Sequence, residues 1–306
     1  MMSYSSEVNK MITKKQFSVL ETLAVTNEKM SQRTIASSLS ISIGSANHIV
    51  NELTELGYIS DGLITDSGLE VLEPYRVKRA VLIAAGFGSR MVPITLNTPK
   101  PLVRVNGKRI IDSLLDAIVA AGIDEVYIVR GYLSEQFDQL LYKYPNIKFI
   151  ENKIYNESNN ISSLLAAGNL LERAYVSEAD LLLFNPNIIK KYQYCSNYIG
   201  VPVDETDDWC FEVDSKNVIM KLKLGGVNCY HMFGISYWDE NDGRQLFTDI
   251  KKVFDSPGGK ERYWDQVPLE FCAENYKVEV RRCTFDDLTE IDTFNELKKI
   301  DKTYDV

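Results

Sequence analysis

The chain has only two histidines among its 306 residues, His48 and His231. That leaves few candidates for a histidine base or a histidine-rich metal centre, and favours a chemistry that needs neither. His231 falls in the strand-like run CYHMFGISYW and His48 in a separate helical segment, where packing or surface roles are expected. The five cysteines, Cys195, Cys210, Cys229, Cys272 and Cys283, form no CxxC pair. Their scatter argues against a zinc site or a disulfide framework and for a reducing, cytoplasmic setting. No apolar run approaches the roughly 20 residues that a membrane helix needs. The N-terminal stretch MMSYSSEVNKMITKKQ lacks the apolar core of a secretory signal. Basic excess is missing too: a net charge of −9 disfavours wholesale binding to nucleic acid or anionic lipid, though it allows a local cationic pocket. Internal repeats and low-complexity tracts are absent. A hydrophobic content of 45% and a charged content of 25% are those of an ordinary globular protein, which excludes general disorder.

What is present divides into two segments with different patterning. Residues 1–77 form the first. KKQFSVLETLAV has apolar residues at helical spacing, and MSQRTIASSLSISIGSANHIVNELTELGYI gives two helices joined near Ser40–Ser42. Ser42 or Ser45 is the expected cap of the second. Turn residues Asp61-Gly62 within Tyr58–Thr65 suit a small hairpin, and TDSGLEVLEPYR a last short helix. Three helices followed by a wing resemble the winged helix-turn-helix family, and LGYI…LITDSGLEVL is similar to MarR-type regulators. From Met1 to Lys78 there are seven basic and nine acidic residues. The would-be recognition helix, SANHIVNELTEL, carries two glutamates and no lysine or arginine. DNA binding relies on phosphate neutralisation by cations, so the fold allows it but the charge does not favour it. A protein-contact or regulatory module is the expectation.

Residues 78–306 form the second segment. KRAVLIAAG is a buried-strand run entering a glycine turn. IIDSLLDAIVAAG, EVYIVRG, SEQFDQLLYKY and IKFIEN then alternate helix, strand, helix, strand. That alternation implies an α/β architecture built on a parallel sheet with crossover helices. YIGVPV, WCFEV, NVIMKLKL and VNCYHMFGISYW read as consecutive strands, so antiparallel pieces are expected to make the sheet mixed.

In LIAAGFGSRMVPITLNTPKPLVRVNGK, Gly86 and Gly88 leave backbone N–H groups uncovered, open to a polyphosphate. The turn is not a dinucleotide fingerprint, since Met91 stands at the third glycine position, and it is not a P-loop. Arg90 and Lys100 follow within a dozen or so residues, and two cations beside a bare-backbone loop make a triphosphate clamp. GxGSR…P.T…TPKPL resembles the opening of the sugar-nucleotide pyrophosphorylase-like nucleotidyltransferases. That resemblance implies a Rossmann-like nucleotidyltransferase fold. It assigns nucleotide contacts to Ala84, Ala85, Gly86, Gly88, Ser89, Arg90 and Lys100, with Arg90 at the distal phosphates and Lys100 near the α-phosphate.

AYVSEADLLLF reads as a core strand whose carboxyl end carries Asp180, where ligands of α/β proteins bind. Magnesium takes hard oxygen ligands, one or two carboxylates among them. LTEIDTFNELKK offers Asp292 as the second, although an acidic residue before a helix is also a common N-cap. The resemblance implies that Asp180 and Asp292 hold Mg²⁺, and gives Glu178 the weaker claim because similar chains carry aspartate there.

Farther along, ENKIYNESNNISSL, YVSEADLLLF, DDWCFEVD, RYWDQV and TEIDTFNELKK occur in an order that resembles the bacterial phosphocholine cytidylyltransferases. By that resemblance, Asn159, Asn160 and Ser163 bind the nucleotide or order its pocket, with a polar helix cap as the alternative. A quaternary ammonium donates no hydrogen bond and needs aromatic faces and a carboxylate. Trp209 beside Asp207 and Asp208, and the run Tyr263-Trp264-Asp265, supply those groups, although tryptophans are often core. Lys153 is the candidate for the acceptor phosphate. The expectation is CTP plus phosphocholine giving CDP-choline and pyrophosphate, by in-line attack on the α-phosphate with Lys100, Arg90, Asp180 and Asp292 as the catalytic set. Alternatives are other acceptors (phosphoethanolamine, 2-aminoethylphosphonate, glycerol phosphate or a sugar 1-phosphate), or a transcription regulator that senses CTP or CDP-choline. Oligomeric state is not readable from the sequence.

Overall fold

The structure is a computed structural model that describes residues 12–305. Residues 1–11, most of the stretch read above as lacking a secretory core, lie outside the described residues, as does Val306. Two compact units divide at Arg76–Val77. No helix among the described residues is long and apolar enough to cross a membrane.

The first unit holds α1 (Lys14–Thr26), α2 (Gln32–Ser38) and α3 (Ile43–Glu55), the two-residue strands β1 (Ile59–Ser60) and β2 (Leu63–Ile64), and α4 (Asp66–Leu72). Ser42 is the cap of α3, its hydroxyl accepting from the Ser45 amide at 3.1 Å. Ala46, Ile49, Val50 and Leu53 recur at helical spacing and are the buried face of α3. β1 and β2 pair antiparallel around Asp61 and Gly62, both at positive φ, which is the backbone a tight wing turn requires.

In the second unit β3 (Arg79–Ala84) is followed by the small hairpin β4 (Arg104–Val105) and β5 (Lys108–Arg109), and by α5 (Ile110–Ala120). Next come β6 (Glu125–Arg130), β7 (Ile147–Glu151), α6 (Ile161–Ala167), β8 (Ala174–Glu178) and β9 (Leu181–Leu183). The chain ends with β10 (Asn197–Val213), β11 (Ile219–Trp238), α7 (Glu240–Phe254), β12 (Glu279–Arg282), β13 (Leu288–Glu290) and α8 (Phe294–Ile300). The main sheet has seven strands in the order β12-β10-β11-β8-β3-β6-β7. β3 runs parallel to both β6 and β8, while β11 is antiparallel to β8 and to β10.

β3 shows why this sheet sits in the middle of the unit. Ala80, Leu82 and Ala84 join one apolar cluster with Ile111, Leu115 and Ile118 of α5. Val81 and Ile83 join another with Leu164 of α6 and Leu246 and Ile250 of α7. Side chains alternate faces along a strand, so helices covering both faces leave β3 no polar position beyond Arg79 at its start, and a continuous apolar run results.

Three readings of the sequence change. SEQFDQLLYKY is not an α-helix but a 3₁₀ stretch, Ser134–Tyr142, whose buried residues Phe137 and Leu140 stand three apart, the repeat of that helix. The four late strand-like runs merge into the two long, bulged strands β10 and β11. AYVSEADLLLF is two strands: after Glu178 the chain leaves β8, and β9 pairs instead with β13. Because Leu181 pairs with Glu290 in that antiparallel ladder, the switch brings the residue just before β9, Asp180, beside the residues just after β13, Asp292 among them.

Candidate active site

Strands β3, β7 and β8 end at one edge of the sheet, and a cleft of about 400 Å³ opens there. Ala84, Ala85, Gly86, Gly88, Ser89, Arg90, Lys100, Asn159, Asn160, Ser163, Asp180 and Asp292 all line it. The glycine turn is fixed by what packs behind it. Gly88 has φ +62°, and a Cβ there would lie 3.0 Å from both Lys100 Cβ and Thr95 Cγ2. A side chain would be strained and crowded at that point. Thr95 Oγ1 also donates to the Gly88 carbonyl at 2.8 Å, tying the turn to the segment that leads to Lys100.

Lys100 is the hub. Its Nζ lies 2.5 Å from Asp180 Oδ2 and 2.7 Å from Asp292 Oδ1. Arg90 reaches the other oxygen of Asp292 at 3.0 Å. Burial works against the Lys100 ammonium, but Asp180 and Asp292 outweigh it and hold its pKa above the ordinary lysine value. Burial likewise opposes ionisation of Asp292, yet Lys100 and Arg90 leave its carboxyl below the usual range. Two more carboxyls stand behind. Glu290 is pushed well above its ordinary value by burial and by the charges of Asp180 and Asp292. Burial, with Asp180 and Asp265 nearby, does the same to Glu178.

Carboxylate oxygens of Asp180, Glu290 and Asp292 lie within 4.8 Å of one another. Asp180 Oδ1 is buried and has no hydrogen-bond partner. An all-oxygen set with an orphaned buried lone pair fits a hard divalent cation such as magnesium. The Lys100 ammonium pairs with the same two aspartates.

Mixed sheet, bare glycine turn and carboxylate–lysine cluster define a nucleotidyltransferase. Comparison with known proteins gives the family. A model of the nucleotidyl transferase family matches residues 79–199, and one of winged helix-turn-helix DNA-binding domains matches residues 12–60. The chain is 35% identical over 228 residues to the 2-aminoethylphosphonate cytidylyltransferase of Lancefieldella rimae, covering 74% of this chain and 92% of that one. It is 31% identical over 229 residues to the choline-phosphate cytidylyltransferase of Streptococcus pneumoniae, covering 73% of this chain and 97% of that one. The solved structure of the CTP:phosphocholine cytidylyltransferase from S. pneumoniae superposes with a TM-score of 0.69 at 30% identity, over 74% of this chain and 99% of the other. The chain belongs to the nucleotidyltransferase family and, with these relatives, to its cytidylyltransferases, which use CTP and a small phosphorylated or phosphonylated acceptor. Nucleotidyltransferases of this kind generally use a divalent metal.

The acceptor candidates fall elsewhere. Trp209, Tyr263, Asp265 and Gln266 line a separate cavity of about 30 Å³. The Trp209 and Tyr263 rings meet edge-on at 6.0 Å. Asp265 accepts a 2.7 Å hydrogen bond from Tyr198 Oη, and burial pushes its carboxyl up to about 7. Trp264 is not a cage wall. It is 1% exposed, stacks on Tyr198 at 5.9 Å and meets Trp238 edge-on at 6.2 Å, inside the core beneath the sheet. Lys153 is exposed and lines neither cavity. Asp292 is not a helix cap: Thr293 caps α8, in a box with Glu296. His48 lies on the surface, 3.1 Å from Glu52. His231 packs on Phe233 and Phe285 and pairs with Thr206 Oγ1.

Glu290 was passed over in the sequence. Its signal is its spacing: it stands two residues before Asp292 at the end of a strand, where alternate side chains share a face. Asn152, at the end of β7, was also missed. Its amide donates to Ser162 and Ser163 at 2.9 and 3.2 Å and so ties the strand to α6.

Proposed function

We propose that the chain transfers the cytidylyl group of CTP to a small phosphonate or phosphate ester that carries a cationic nitrogen, releasing pyrophosphate. The observation that carries this reading is the Lys100–Asp180–Asp292 cluster facing the glycine turn across one cleft. The acceptors in the names of the two relatives, 2-aminoethylphosphonate and phosphocholine, share a nitrogen joined by two carbons to the phosphorus-bearing group. Trp209, Tyr263 and Asp265 supply the aromatic faces and carboxyl that such a nitrogen calls for. A cavity of about 30 Å³ is roughly one water's share of volume. That space suits a primary ammonium with N–H donors better than a trimethylammonium. The reading therefore puts 2-aminoethylphosphonate ahead of phosphocholine, the acceptor expected from sequence; phosphocholine would require Tyr263, 44% exposed, to swing aside.

An acceptor phosphate with a second pKa of about 6 is already largely ionised at neutral pH. It needs no general base, and the site contains no histidine among its lining residues. An acceptor oxygen attacks the α-phosphorus in line; the bond to the β-phosphate oxygen breaks, and pyrophosphate leaves with the electron pair. Lys100 stabilises the charge that grows on the α-phosphoryl oxygens. Arg90 and the backbone amides of the glycine turn hold the departing pyrophosphate. Asp180 and Asp292, with Glu290 beside them, would hold Mg²⁺. When bound, that ion supplies Lewis-acid polarisation of the phosphoryl oxygens.

The winged-helix unit fits a protein-contact or regulatory role better than DNA reading. Glu52 on α3 is already engaged by His48 and by Gln16 Nε2, and no cation on that helix is available for phosphate. A pure sensor of CTP would not need the carboxylate cluster.

The test is pyrophosphate release from CTP and Mg²⁺ across 2-aminoethylphosphonate, phosphoethanolamine, phosphocholine, glycerol phosphate and glucose 1-phosphate, with a DNA gel shift beside it. The two-carbon cationic acceptors should lead. Glycerol phosphate or the sugar in first place would defeat the acceptor assignment, and no release with any acceptor would defeat the enzyme assignment.

A further inference from the structure

The polar loop before α6 does more than line the nucleotide cleft. Asn160 occupies the cap position of α6, yet its side chain makes no capping bond. Both ends of its amide are used elsewhere. Nδ2 donates to Glu178 Oε1 at 3.1 Å, on the floor of the cleft at the end of β8. Oδ1 accepts from the Trp264 backbone N–H at 2.9 Å, in the segment that carries Tyr263 and Asp265. Its neighbours reinforce the link to that same segment. The Asn159 N–H donates to the Lys260 carbonyl at 2.7 Å, Asn159 Nδ2 donates to the Glu261 carbonyl at 3.2 Å, and Ser158 Oγ donates to the Lys260 carbonyl at 2.9 Å.

Both anchor points are rigid. Gly234 packs so closely on Glu178 that a Cβ there would come within 2.7 Å of Glu178 Cγ. On the other side, the Trp264 ring is locked in the core, and Tyr198, on which it stacks, holds Asp265. Among the side chains of this loop, Asn160 is the one that joins Glu178 at the cleft floor to the main chain at Trp264, between Tyr263 and Asp265.

We propose that Asn160 is a positioning residue that couples the two substrates: through Glu178 and the Trp264 N–H it sets the place of Tyr263 and Asp265 against a nucleotide held in the cleft. The proposal rests on the cytidylyl-transfer reading above. Removing the amide unties the Trp264 end of the acceptor segment, which Ser158 and Asn159 hold only at Lys260 and Glu261, while leaving the glycine turn, Arg90 and Lys100 intact. The loss should therefore fall more heavily on the acceptor than on CTP.

Steady-state kinetics with CTP, Mg²⁺ and 2-aminoethylphosphonate, repeated with phosphocholine, test it on the full chain. Asn160→Ala should raise the acceptor KM about tenfold or more, the scale of a stranded hydrogen-bonding group, and by a clearly larger factor than the KM for CTP, whose cleft Asn160 also lines. Asn160→Asp is nearly isosteric; it keeps an acceptor for the Trp264 N–H and loses the donor to Glu178. It covers the case in which the alanine variant folds poorly, and should raise the acceptor KM by a smaller factor. Equal rises in both KM values, or an acceptor KM unchanged in the folded variants, overturns the coupling while an active wild type leaves the function standing. A wild type with no turnover on any acceptor overturns both.

Discussion

The two sides of the catalytic unit are built on opposite plans. One wall of the nucleotide cleft comes from near neighbours in sequence, Ala84 to Lys100, an open turn in which Phe87 stands among small and cationic side chains. The proposed acceptor side instead gathers Trp209, Tyr263 and Asp265 from distant segments around a cavity with room for about one water. Phosphate needs exposed donors and charge, which backbone amides and lysine supply without a deep pocket. A cationic nitrogen needs enclosing faces, and these come only from long-range packing. A local motif therefore specifies the first kind of site, while tertiary structure must specify the second.

If that contrast is right, substitutions on the nucleotide side strike turnover and those on the acceptor side strike KM. Lys100→Ala should lower kcat by about 10²- to 10³-fold, the usual loss when a preorganised charge stabiliser is removed. It also leaves Asp180, Glu290 and Asp292 facing one another without their cation, a situation that costs about 3–5 kcal/mol when a buried pair is broken. Mg²⁺ should therefore raise the Tm of Lys100→Ala by more than it raises that of the wild type. A smaller Mg²⁺ shift in the variant would break the assignment of a shared cation site. Glu290→Gln should raise the Mg²⁺ concentration for half-maximal activity by about tenfold, as loss of a metal-site partner typically does. An unchanged Mg²⁺ titration would exclude Glu290.

On the acceptor side, Trp209→Ala should raise the acceptor KM about tenfold through loss of a cation–π face. Lys153→Ala should stay within about twofold, because its side chain is exposed and outside both cavities; the reverse order would move the acceptor site. The smallest effect is on stability. Burial lifts the Asp265 carboxyl from its ordinary 3.8 to about 7, so the folded state holds the proton that the unfolded chain releases. The resulting stability is complete below the unfolded value and drains away as pH rises through about 7. Asp265→Asn, which has no proton to lose, should gain a few degrees of Tm over wild type between pH 5 and pH 8. A Tm difference independent of pH would mean that Asp265 is ionised throughout.

The same contrast explains what the sequence made legible. β3, the glycine turn and the helix α5 announce themselves through period and glycine placement, because each depends on residues close in the chain. Motif context singles out Asp180 and Asp292 in the sequence, although the strand switch that brings them together, β8 to β9 and β13, leaves no local mark. Trp264 and Tyr263 are adjacent in sequence, yet one is core and the other surface. Only the packing of Tyr198 and Trp238 decides which. Glu290 was hidden by its two-residue offset from a stronger candidate. Asn160 looks like a cap in sequence, and the partners that occupy it lie 18 and 104 positions away.

The most direct test of the central claim is the anomalous signal of Mn²⁺ in crystals grown with a non-hydrolysable CTP analogue. A single strong peak is expected within bonding distance of Asp180 and Asp292, with Lys100 Nζ displaced from between them toward the α-phosphate. A peak held by other residues, or a Lys100 ammonium still seated on both aspartates with the nucleotide bound, would contradict it.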